Sequence, residues 1–76
     1  MRARVADTPE LFLITLDAQA YARGVSLRLR EADAIFSDNF FDLTPGKPRR
    51  VAVDKADLSQ PLTVEQLREQ LKILSV

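Results

Sequence analysis

The sequence contains no cysteine, no histidine and no tryptophan. Without cysteine, no disulfide can brace the fold. Without cysteine and histidine, the usual thiolate and imidazole ligand sets of metal sites are excluded. The same two absences remove the Ser-His-Asp and Cys-His nucleophile systems. Neither sign of charge is in surplus: eleven Lys/Arg balance eleven Asp/Glu. Nucleic-acid binders carry a basic excess, so no nucleic-acid partner is expected. Long hydrophobic runs are missing as well. The longest is Leu11 to Ile14, against the ~20 residues of a membrane span, so no membrane partner is expected either. Asp7 and Glu10 occupy the place where the apolar core of a secretory leader would lie.

What is present fits one small globular domain. The chain has 76 residues, 46% hydrophobic and 29% charged, a balance of folded rather than disordered chains. A domain of this size buries only roughly 60% of its unfolded surface. Its core is therefore thin.

Turn signals cut the chain into strand-length pieces. They lie at Thr8-Pro9, Arg23-Gly24, Pro45-Gly46-Lys47-Pro48 and Ser59-Gln60-Pro61. From Gly24 to Glu31, Val25, Leu27 and Leu29 alternate with Ser26, Arg28 and Arg30. That period of two predicts a strand with one buried and one wet face. Leu11 to Asp17 is apolar on both parities at its start, which predicts a central strand covered on both faces at one end. Arg50 to Asp54 alternates through Val51 and Val53. A shorter extended stretch is expected from Ile35 to Leu43, interrupted near Asp38 and Asn39, and an edge strand from Arg2 to Ala6.

Thr44-Pro45-Gly46-Lys47 reads as a type II turn, because proline presets φ at its second position and glycine supplies positive φ at its third. Pro48 then opens the next strand. Val64, Leu67 and Leu71 change the period to that of a helix, expected over Val64 to Gln70. Thr63 and Gln66 match a capping box. Ile73, Leu74 and Val76 read as a last strand. Short strands between turn signals, with one short helix near the C-terminus, predict an all-β antiparallel sandwich. The expected core is Phe12, Ile14, Leu16, Val25, Leu27, Leu29, Phe36, Leu43, Val51, Val53, Leu67 and Leu71.

Few groupings could carry chemistry. Asp38, Asn39 and Asp42 are the densest set of oxygen ligands, but EF-hand spacing fails, and Asx-turns around a hairpin are expected there. Glu10, Glu31, Glu65 and Glu69 are the candidates for a paired-carboxylate glycosidase site. Glu65 and Glu69 fall i, i+4 on a helix surface, and nothing sets any two across a cleft. No catalytic residue and no cofactor is expected within this chain. Arg28, Arg30, Arg49 and Arg50 could bind an anion, but pairing with carboxylates on neighbouring strands is expected. Phe40 and Phe41 are adjacent, so an extended chain points them to opposite faces, and one is expected to be exposed or covered by another domain.

The segment Tyr21-Ala22-Arg23-Gly24-Val25-Ser26-Leu27 resembles a known family. It is followed by Phe36-Ser37-Asp38-Asn39-Phe40-Phe41-Asp42-Leu43 and then Pro45-Gly46. Together they resemble the C-terminal immunoglobulin-like domain of β-mannosidases of glycoside hydrolase family 2. Thr44 stands where the family often has Leu. The resemblance implies an immunoglobulin-like fold over residues 1–76, within a larger enzyme that removes terminal β-linked mannose. It implies that Met1 is not the natural start of that polypeptide. The parent's catalytic glutamates would lie in a separate barrel, so none is carried over to this chain. Phe36, Asp38, Asn39, Phe41, Asp42, Pro45 and Gly46 are carried over as structural motif positions only. The implied partners are other domains of the same polypeptide, with weak carbohydrate contact as a further expectation. Two alternatives stand beside an accessory domain. One is a mannan-binding module using Phe40, Phe41, Tyr21 and Asn39; the other is a freestanding protein-interaction domain.

Overall fold

The computed structural model describes residues 2–75. Six strands form: β1 (Arg2–Asp7), β2 (Leu11–Asp17), β3 (Ala22–Leu29), β4 (Phe41–Leu43), β5 (Arg49–Asp54) and β6 (Leu71–Leu74). A 3₁₀ turn (Lys55–Asp57) follows β5, and the helix α1 (Val64–Gln70) runs directly into β6. The strands make two antiparallel three-stranded sheets, ordered β1-β2-β5 and β4-β3-β6. The fold is the expected all-β, immunoglobulin-like sandwich.

Alternation builds the core. Phe12, Ile14 and Leu16 of β2 point one way, and their register partners Val51 and Val53 of β5 point with them. Val25, Leu27 and Leu29 of β3 face them from the other sheet, beside Phe41 and Leu43 of β4. Leu67 closes the same cluster from α1 and is fully buried. Ten of the expected core residues are buried, whereas Phe36 and Leu71 are half-buried at its margin. Phe36 makes an isolated bridge to Val53 at the sheet edge. Leu71 lies in β6, beyond the helix, so strand geometry sets its burial. Ala18 and Ala32 join the core unannounced, because a lone alanine outside a strand pattern carries no periodic signal.

The helix occupies the expected residues, and Thr63 and Gln66 form the capping box in both directions. The turn at Thr44–Lys47 closes with the Lys47 N–H donating to the Thr44 carbonyl at 3.1 Å, and Gly46 has φ +78°. Several boundaries move: β1 ends at Asp7, β5 begins at Arg49, and β3 runs over Ala22–Leu29, so that the expected turn at Arg23-Gly24 is a bulge inside the strand and Arg30 and Glu31 lie beyond it. Only Phe41–Leu43 of the Ile35–Leu43 stretch is a strand. Pro48 stands one residue before β5, since its missing N–H cannot join the ladder. The last strand begins at Leu71, and Val76 lies outside the described residues.

Candidate functional site

The motif Phe36–Gly46 crosses from one sheet to the other, and its polar side chains finish the pairing that its backbone leaves open. Phe36 and Ser37 lie along the free edge of β5. The Ser37 N–H donates to the Ala52 carbonyl at 2.9 Å, and the Ser37 hydroxyl oxygen accepts from the Ala52 N–H at 2.8 Å. Two residues later the chain has reached β3. There the Asn39 amide does the work of a peptide group: Oδ1 accepts from the Leu27 N–H at 2.7 Å, and Nδ2 donates to the Leu27 carbonyl at 3.0 Å. Backbone pairing resumes only at Phe41, opposite Val25.

Phe40 makes the change of direction possible. Its φ is +56°, in the left-handed region that side chains rarely adopt. This conformation leaves Phe41 buried and Phe40 78% exposed. The expected split of the two aromatics is therefore present.

Asp38 and Asp42 anchor the two ends of the clasp. Asp38 pairs with the Arg49 guanidinium, which also stacks 4.8 Å over the Phe41 ring. The charge-assisted bonds from Arg49 hold the Asp38 carboxyl below the ordinary carboxylate range. Asp42 sits opposite a bulge in β3, between the pairs Ala22–Leu43 and Val25–Phe41. Its Oδ2 accepts from the Tyr21 hydroxyl at 2.7 Å, and its Oδ1 from the Gly24 N–H at 3.1 Å. Gly24 has φ +57°, a bulge conformation that glycine adopts freely. The phenol and this N–H lower the Asp42 pKa, and the same carboxylate raises that of Tyr21.

Several expectations change in detail. Asp38 and Asn39 do not make Asx-turns; each accepts from the next residue's N–H, and their other bonds are long-range. Their oxygens and those of Asp42 are turned to protein donors. Among the described residues, no cluster of three or more acidic side chains is placed to hold a metal ion. Glu10 lies in the β1–β2 turn, Glu31 just beyond β3, and Glu65 and Glu69 on α1, all exposed. Of the four arginines expected to pair with carboxylates, Arg49 alone does so among the described residues, and its partner Asp38 lies in the crossing segment. Arg28, Arg30 and Arg50 project into solvent at the surface.

Two anchoring groups have no signal in the motif. Gln70, the last residue of α1, is buried, and its Oε1 accepts from the Glu31 and Ala32 N–H groups at 3.2 and 2.9 Å. Its position three residues after Leu67 was the available clue. Lys55 donates to the Asp7 carboxylate and the Thr8 carbonyl, each at 2.5 Å, and lies 4.8 Å over the Phe12 ring. It pins the β1–β2 turn to the end of β5.

A family model described as Ig_mannosidase, an Ig-fold domain, matches residues 1–76. Among curated proteins nothing matches the chain.

Proposed function

The chain belongs to the Ig-fold domain family of mannosidases, and from that premise we propose that it is a non-catalytic accessory domain of a β-mannosidase-type glycoside hydrolase. It docks on neighbouring domains of the same polypeptide and stabilises them, while the parent hydrolyses terminal β-linked mannose. One observation carries this reading beyond the family match. The polar groups of the motif go to internal pairing, Ser37 with β5 in one sheet and Asn39 and Asp42 with β3 in the other, and not to a convergent site. Deleting residues 2–75 from the parent enzyme tests it. The expected result is a lower melting temperature with reduced activity on an aryl β-mannoside. Unchanged melting and unchanged activity would count against the proposal.

Phe40 and Tyr21, 78% and 55% exposed, support a second reading in which the domain holds mannan near the parent's active site. Exposed rings beside polar groups suit sugar faces. Titration with β-1,4-manno-oligosaccharides, followed by amide NMR, separates the two. Saturating shifts at Phe40 and Tyr21 favour the sugar-binding module, and none at millimolar sugar favours the structural role.

A further inference from the structure

The outer faces of the two sheets differ in kind. On the β4-β3-β6 sheet, Arg28 stands opposite Lys72 and Ser26 opposite Leu74, which is itself exposed, so polar side chains outnumber apolar ones along that ladder. The outer face of β1-β2-β5 carries Leu11, Leu13, Thr15 and Asp17 on its central strand. Register places Ala6 and Ala52 beside Leu13, and Arg4 and Arg50 beside Thr15. Arg2 lies opposite Asp17, and Asp54 opposite Leu11. The face thus has an apolar half and an arginine half. A shallow concavity of about 510 Å³ lies in the arginine half, its lining including Arg4, Ala6, Thr15, Asp17, Pro48 and Arg50. Among the described residues none of Arg2, Arg4 and Arg50 lies in an ion pair. The sequence predicts cover on both sides of β2 at its Leu11 end, yet Leu11 and Leu13 remain half-buried.

We infer that this face is the docking surface for an adjacent domain of the same polypeptide, which presents carboxylates to Arg2, Arg4 and Arg50 and apolar side chains to Leu11 and Leu13. The inference rests on the accessory role proposed above and names the surface that serves it. Arginine beside apolar side chains is a composition enriched at protein interfaces, and three arginines around one aspartate at one end of the face complement an acidic partner. A second copy fits poorly. Seated face to face, it would set arginines against arginines or against leucines.

Hydroxyl-radical footprinting of the full-length polypeptide tests the inference, with wild type compared to an R4E/R50E variant. The expected result is slow oxidation of Leu11, Leu13 and Pro48 in the wild type, rising about five-fold or more in the variant, while Tyr21 and Phe40 stay reactive in both. Protection of Tyr21 and Phe40 with Leu13 exposed would overturn this face but keep the accessory role. Full reactivity of Leu11, Leu13, Pro48, Tyr21 and Phe40 alike in the wild type would overturn both. Protection that appears only in a dimer, seen by light scattering, would assign the face to a second copy and overturn the adjacent-domain partner. Circular dichroism of the variant establishes that it is folded before the footprints are compared.

Discussion

At the residue scale, Asn39 is the most exposing test of the clasp. Alanine there leaves the Leu27 N–H and carbonyl without partners in a half-buried place. An unsatisfied group of this kind costs about 1–3 kcal/mol. Aspartate does not rescue the position, because it can accept from the N–H but repels the carbonyl. Urea denaturation of both variants is expected to show a lower midpoint with an unchanged slope. The Tyr21–Asp42 pair makes a pH prediction. The fold raises the Tyr21 pKa, so the neutral phenol is favoured. Its contribution is whole below about pH 10 and is lost as pH rises through the folded value. Asp38 and Asp42 are lowered. Their contributions are whole above about pH 4 and are lost as pH falls through the folded values. Melting temperature against pH should therefore form a plateau with an acid and an alkaline limb. The Y21F variant is expected to lose its share of the alkaline limb and to show a shallower acid limb.

At the scale of elements, the helix depends on its first turn. It has seven residues, too short to persist on propensity alone. Its stability comes from the capping box and from Leu67. Thr63→Ala removes the cap and is expected to cost about 1 kcal/mol by denaturant titration. Elements of this kind were legible because their signals are local: a capping box, a Pro-Gly turn, and a period of two in β2, β3 and β5. The short strand β4 was less so. Its pairing with β3 begins only after Asn39 has replaced a backbone peptide and Phe40 has turned into positive φ, and no propensity announces either. The site shows the same division. The motif positions could be named from sequence, but Asp38 with Arg49, Asp42 with Tyr21, and Gln70 with the Glu31–Ala32 backbone join residues far apart in the chain. Spacing alone does not reveal such partners.

At the scale of the whole molecule, sequence-distant pairings hold the sandwich together. Only the β1–β2 hairpin is local; β2 waits for β5, and β3 for β6. Topologies of this kind fold in about milliseconds to seconds, because loop closure precedes the reward of contact. Stopped-flow refolding is expected to fall in that range, with β5 and β6 gaining amide protection together. The crossing segment has one more effect at this scale. A sheet edge with idle N–H and carbonyl groups invites a strand from another molecule. Ser37 and Asn39 occupy such groups on two different sheets with side chains too short to extend the ladder further. One short excursion of the chain therefore works as a pair of stoppers. It caps the Ala52 and Leu27 backbone groups inside the molecule and so denies a fibril those two points of attachment.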